Sequence, residues 1–280
     1  MNSSTILAGI ILFILIGCST EQNGIIESAS STPPGFIIEQ ASEGNPQLED
    51  YLNFLNGSYD GSLHLQNNAS YRFKNEETGE LFDITSSSNL STQFTSESSA
   101  CESNVQFGPF NLICKSDGYY CVNYQERGNL VANLYGASSE FSIDNARSGE
   151  NLTASIYVPQ VVSVTSFSPS TKQIAPGTSI SWVTDPSFSK GLIMILDYRP
   201  SNLAGTEEER QLYPDRVSYA KIIPDNGSYT FTAADLENFS EGMTIELLLT
   251  RGTYAVYQSE VTNQTYGLAA YSTFHHNFAY

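Results

Sequence analysis

Beyond the N-terminal stretch, three cysteines stand close together at Cys101, Cys114 and Cys121, and their spacing suggests the first chemistry open to this chain. If Asp117-Gly118 is the centre of a type I′ turn, then Ser116 faces Tyr119, Lys115 faces Tyr120 and Cys114 faces Cys121. The two sulfurs would then share a sheet face at bridging distance. A Cys114–Cys121 disulfide is therefore expected, with Cys101 as the rival partner. The cluster has no nearby histidine and lacks four-ligand zinc spacing, so no metal site is expected. Of His64, His275 and His276, the adjacent pair should point to opposite sheet faces and not share a metal.

Asp60, Asp83, Asp185, Asp197, Asp215 and Asp225 fall at expected turns or strand ends, where carboxylates could form a glycosidase pair or bind calcium. None has EF-hand spacing. The run Glu207–Glu209 reads as solvated charge in a long loop. With no nucleophile elbow, zincin helix or phosphate-cradling glycine loop, no catalytic residue is expected and the chain is read as a non-enzyme. Tyr119, Tyr120, Tyr124 and Tyr257 are the candidate binding residues, because exposed tyrosines stack on sugar rings and anchor protein interfaces. Alternation sends about half of the tyrosines into a core.

The elements that must carry these groups follow from composition and patterning. Tyr and Phe abound, and the chain has only 12 basic residues against 30 acidic, for a net charge of -18. Such a charge repels phosphate backbones, so no nucleic-acid partner is expected. The composition favours strands over helices. Short alternating runs are expected as strands at 62–66, 69–74, 106–114, 119–124, 130–135 and 152–158. Another set follows at 161–167, 179–184, 191–198, 217–223, 228–232, 244–251, 253–261 and 267–276. Gly252 and Asp225-Asn226-Gly227 are expected to turn hairpins. Thr232 and Asp235 form a capping-box pair at one helical turn. Trp182 is expected in the core.

The apolar run Ile6–Gly17 is too short for the roughly 20 residues a membrane-spanning helix needs, and it reads as a signal h-region. It ends in Leu15-Ile16-Gly17-Cys18, which resembles the bacterial lipobox. That resemblance implies a signal peptide over 1–17, lipid of the palmitate type on Cys18 and an envelope location. Ser19 and Thr20 carry no inner-membrane retention signal, so the outer membrane is expected. Residues 18–50, with Ser28–Pro34 (SASSTPP), read as a flexible tether.

Further on, Ser179–Asp185 (SISWVTD), Gly191–Asp197 (GLIMILD), Asp225–Asp235 (DNGSYTFTAAD) and Thr244–Gly252 (TIELLLTRG) resemble the C-terminal immunoglobulin-like half of uncharacterised Bacteroidetes lipoproteins. The resemblance implies a fold and a cell-surface location. The expected architecture is all-β, with two antiparallel immunoglobulin-like β-sandwich domains in tandem, at 51–159 and 160–280. By analogy with paired sandwiches, calcium is an option at the junction, 159–167. The function expected is a membrane-anchored, non-catalytic lipoprotein that binds a glycan or envelope protein. The alternative is a structural or assembly subunit in which a strand edge, or the terminal stretch 271–280, pairs with a neighbour. A polysaccharide hydrolase is a third reading.

Overall fold

Long runs that alternate between apolar and polar residues bury one face of a strand and expose the other, and this chain folds almost wholly into such strands. The computed structural model describes residues 36–38, 54, 57–75, 80–95, 102–116, 118–122, 129–145, 149–168, 173–188, 190–200, 206–213 and 215–280. The strands are β1 (Phe36–Ile38), β2 (Gly61–Asn75), β3 (Glu80–Phe94), β4 (Asn104–Phe107), β5 (Phe110–Ser116), β6 (Tyr119–Cys121), β7 (Ala137–Asn145) and β8 (Glu150–Val158). They continue as β9 (Val164–Ser168), β10 (Ser179–Trp182), β11 (Leu192–Tyr198), β12 (Val217–Ile223), β13 (Ser228–Thr230), β14 (Thr244–Gln258) and β15 (Thr265–Ala279). Among the described residues, the short helices are α1 (Asn129–Ala132), α2 (Glu207–Leu212) and α3 (Ala233–Leu236).

Among the described residues these strands form a 12-stranded mixed sheet, in the order β1-β12-β11-β14-β15-β2-β3-β6-β5-β4-β7-β8, and a small sheet β13-β10-β9. The all-β class is as expected. The division at 159/160 is not a break in the sheet, because β15 lies parallel to β2 from Tyr266↔Gly61 to His275↔Ser70. The far end of the sheet folds back, and the Tyr257 hydroxyl of β14 donates to the Ser155 carbonyl of β8 at 2.8 Å.

Two cores lie on the inner face of the large sheet, side by side along the same strands. One packs Leu192, Leu196, Leu247, Leu249 and Phe274 against Ile180 and Trp182 of the small sheet. The other gathers Leu63, Leu65, Leu90, Phe107, Tyr120, Phe141 and Leu268. Between them runs a row of polar residues in register: Arg251 faces Ser272, Ser272 faces Asn67 and Asn67 faces Ser88. Arg251, Ser272 and Asn67 are buried. A third, smaller cluster on the outer face holds Phe54, Ile195, Leu248 and Tyr254.

Arg251 is fully buried, and its hydrogen bonds organise the junction. Its Nη1 donates to the Gln160 carbonyl at 3.0 Å, and its Nη2 to the Val183 carbonyl and to Asp225 Oδ1, both at 2.9 Å. Asp225 Oδ1 also accepts from Trp182 Nε1 at 2.7 Å. The Val162 amide donates to Ser272 Oγ at 3.0 Å, laying the 159–163 crossover over the polar row. Trp182 is in the core, as expected, and its one polar atom is satisfied by this carboxylate.

Several local expectations are corrected. The stretch 130–135 is not a strand: α1 and a following turn put Val131 and Leu134 on one buried side, an i, i+3 pattern, and Gly136 at φ 84 ends it. The run 106–114 splits into the β4–β5 hairpin at Gly108-Pro109. Gly252 lies inside β14 rather than in a turn. A Cβ there would come within 2.9 Å of the Tyr271 Cβ and closer still to the Tyr254 hydroxyl, so glycine makes room for the stacked Tyr254 and Tyr271 rings. The 225–227 turn connects β12 and β13, which lie in different sheets, and so makes no hairpin. Within the tether expected over 18–50, Phe36–Ile38 is a strand on the edge of β12.

The cysteine register shifts by one residue. Ser116 does face Tyr119, and Gly118 has φ 74, but an irregularity between Cys114 and Ser116 takes Lys115 out of the pairing. Cys114 therefore faces Tyr120 while Cys121 faces Ile113, which puts the two side chains on opposite faces of the ribbon. A Cys114–Cys121 bridge does not fit this register. The rival Cys101, like Cys18, lies outside the described residues.

Two measurements test this framework. Asp225→Ala, which strands the buried Arg251 charge, is expected to cost about 3–5 kcal/mol in urea unfolding. Asp215→Ala at an exposed site should stay within about 0.5 kcal/mol. Equal effects would remove the special role of the Arg251–Asp225 pair. Peptide mapping of the unreduced chain is expected to link Cys114 to Cys101, and a Cys114–Cys121 peptide would refute the shifted register.

Candidate functional site

Among the described residues, an open groove of about 580 Å³ lies between the β4–β5 turn, α1 with the turn that follows it, and the start of β7. Gly108 sits at φ 52, donates to the Glu140 carbonyl at 2.7 Å and brings the turn close to Leu134. Phe110 and Leu134 form a buried apolar floor, while Pro109, Asn133, Ser138 and Glu140 are exposed around it. Leu130 lines the groove and is 50% exposed, a large apolar side chain left to water beside a concave surface. An apolar floor with a few polar groups at the rim is the usual form of a recognition pocket.

A separate cluster of ionisable groups lies on the outer face of the large sheet. Asp197 of β11 is fully buried and accepts from Arg199 Nε, from the Ser218 hydroxyl and, at 3.0 Å, from Arg216 Nε. Glu246 stands directly opposite on β14, with Arg199 Nη2 and His275 Nδ1 each 3.8 Å from its carboxylate. Burial holds the Glu246 carboxyl above its ordinary value, against the opposing pull of Arg199 and His275. Two carboxylates and two guanidinium groups balance one another here, and the geometry is that of a charge-paired brace across β11, β12 and β14.

The other candidate carboxylates are mostly structural. Asp185 accepts from the Gln160 amide at 2.7 Å and the Ser187 amide and Tyr157 hydroxyl at 3.0 Å. With Asp225 bound to Arg251 and Trp182, the junction carboxylates already face hydrogen-bond donors. Calcium takes a cage of oxygen acceptors, so these residues do not fit it. Among the described residues no group of three or more His, Cys, Asp or Glu is arranged to hold a metal. Asp60 accepts from the Thr265 amide at 2.8 Å and Asp215 is exposed, whereas the side chain of Asp83 lies outside the described residues.

Glu207–Glu209 opens α2 instead of lying in a loop. Glu209 is buried, completes a capping box with Thr206 and accepts from the Thr244 amide and hydroxyl. The capping box of Thr232 and Asp235 forms as expected. Burial pushes the Asp235 carboxyl up, but donors from Lys221, Tyr229 and Thr232 outweigh it and hold the group below its ordinary value. The histidine pair divides between faces: His275 beside Glu246 outside, and His276 against Phe278 at 4.9 Å inside. His64 packs edge-on to Phe54, and burial lowers its pKa to about 4, keeping the ring neutral.

The tyrosine set does not come together. Tyr120 is core, edge-on to Phe94, and its hydroxyl accepts from the Ser103 amide. Tyr257 is half-buried and tied to Ser155. Tyr119 is half-buried, and Tyr124 lies outside the described residues. Residue type alone pointed to the tyrosines and missed the groove, whose one sequence signal is the Gly108-Pro109 turn beside Phe110.

Glu246 gives a test with a definite sign. Its folded-state pKa is raised above the ordinary 4.5, so its stabilising contribution is present below that value and lost as pH rises through the folded one. Glu246→Gln should therefore stabilise the fold at pH 7 relative to wild type and show less benefit at pH 4, read by urea unfolding. Destabilisation at pH 7 alone would rank its ion pairs above burial.

Compared with family models, curated proteins and solved structures, the chain matches none.

Proposed function

We propose that this chain is a lipid-anchored, non-catalytic module of the cell envelope that recognises a glycan or a protein partner through the groove beside α1. The observation that carries the reading is the groove itself, with its apolar floor of Phe110 and Leu134 and the exposed Leu130. Cys18 after its apolar leader supports attachment to the outer membrane, and the polar stretch that follows supplies reach. The packing of β9, β10 and β13 against β11, β12, β14 and β15 supports an immunoglobulin-like sandwich for the C-terminal half. The N-terminal half, whose strands gather around a core completed by Tyr266, Leu268 and Ala270 of β15, is the second sandwich-like unit.

A second reading, an assembly subunit of an envelope complex, is favoured by one observation: β1, from the stretch expected as tether, lies along the edge strand β12. Pairing through the terminal stretch 271–280 is less favoured, because β15 is flanked by β14 along its length and by β2 as far as His275, and Ala279 is bridged to Gln173.

The binding reading is tested on glycan and envelope-protein arrays with the mature chain. Leu130→Asp is expected to reduce specific binding at least tenfold while leaving the unfolding free energy within about 0.5 kcal/mol, since the side chain is half exposed. Full binding by this variant would exclude the groove.

A further inference from the structure

We propose that the outer edge of β12 is a strand-accepting site, where the segment Phe36–Ile38 of a second copy of this chain takes the place of the chain's own β1. This rests on the assembly reading and names its contact.

The pairing is small and set by backbone. Phe36, Ile37 and Ile38 face Ser218, Tyr219 and Ala220 in parallel register, so three of the seven residues of β12 are covered. The strand is an apolar island. Before it stands Ser28–Pro34 (SASSTPP) and after it Glu39–Asp50 (EQASEGNPQLED), both polar and rich in small residues, with little of their own to bury. Residues 39–53 separate β1 from Phe54. At about 3.3–3.6 Å per residue they span on the order of 50 Å when extended, enough to reach a neighbouring molecule.

Exchange of an identical element forms in trans the contacts that exist in cis, so no interaction is lost when two chains trade segments. Local concentration then sets the balance. Copies held by Cys18 on one membrane would present their segments and β12 edges at the same height, which favours the trans arrangement. A parallel added strand is also one of the recurrent ways in which chains join through a sheet edge.

The test uses the full mature chain in detergent, with substitutions at the facing positions 38 and 220. One chain carries Ile38→Cys and a differently tagged chain carries Ala220→Cys; the two are mixed and oxidised. A mixed-tag covalent dimer is expected, at least tenfold above the yield with Glu140→Cys, an exposed position on β7, in place of Ala220→Cys. The double variant Ile38→Cys, Ala220→Cys reports the pairing within one chain as a bridged monomer. A bridged monomer with no mixed dimer above the control overturns the exchange. Failure of both bridges overturns the β1–β12 pairing and the proposal with it. Sedimentation of the unsubstituted chain separates the two levels. Self-association without the mixed dimer preserves the assembly reading and removes this contact, whereas no self-association removes both.

Discussion

A guanidinium group with no exposure to water needs a counter-charge and acceptors from the fold, because an unpaired buried charge costs several kcal/mol. Arg251 stands at that point of the fold, near the middle of β14 and on its inner face. Its acceptors come from three stretches far apart in sequence: Gln160 in the crossover, Val183 after β10, and Asp225 in the turn that follows β12. Pairing the two terminal nitrogens of one side chain, whose Nε has no hydrogen-bond partner, therefore fixes where the crossover runs, how the small sheet sits on the large one, and which way Trp182 points. Few alternative packings would supply the same acceptors, which makes the pair a device for specificity as much as for stability.

The polar row through Arg251, Ser272 and Asn67 also explains why the molecule has two cores on one sheet. The strands β2, β14 and β15 are each 15 residues long, several more than a single sandwich layer uses. Each contributes apolar residues to both cores and crosses the row between them, as Leu249, Arg251 and Ala255 do along β14. A cut at 159/160 would leave β14 and β15 in one fragment and β2 in the other. The two cores are thus less independent than a tandem of closed domains.

Many strand positions were legible because alternation and turn residues are local signals; β12 spans Val217–Ile223 as patterned, and the Thr232–Asp235 cap formed where its spacing placed it, whereas β1 and most of β3 have no counterpart among the alternating runs. What was lost depended on contacts distant in sequence. Gly252 reads as a turn until Tyr254 and Tyr271 are seen stacking across it, and the bulge at Lys115 shifts a cysteine register that turn chemistry alone would set otherwise. The stretch Leu130–Tyr135 alternates well enough for a strand, yet Val131 and Leu134 are needed on one side to close the core. The groove was illegible for the same reason: its walls come from a hairpin turn, a helix and a strand start that only packing brings together.

The charge of the chain narrows the ways in which it can meet a partner. In a molecule with 12 basic and 30 acidic residues, Arg199, Arg216, Lys221 and Arg251 are engaged by the buried carboxylates of Asp197, Asp235 and Asp225. Four of the twelve basic groups are thus neutralised by buried carboxylates, and the excess of acidic residues gives the molecule its net negative charge. Two copies repel at long range, with a reach of about 8 Å at physiological salt, and non-specific association is suppressed. A contact between copies must then come from short-range, directional bonding that charge does not oppose, and backbone pairing along a strand edge has that character. The same argument favours an uncharged ligand, a neutral glycan or an apolar peptide side chain, for the proposed recognition groove lined by Phe110, Leu130 and Leu134, where binding would depend on burial and shape instead of attraction between charges.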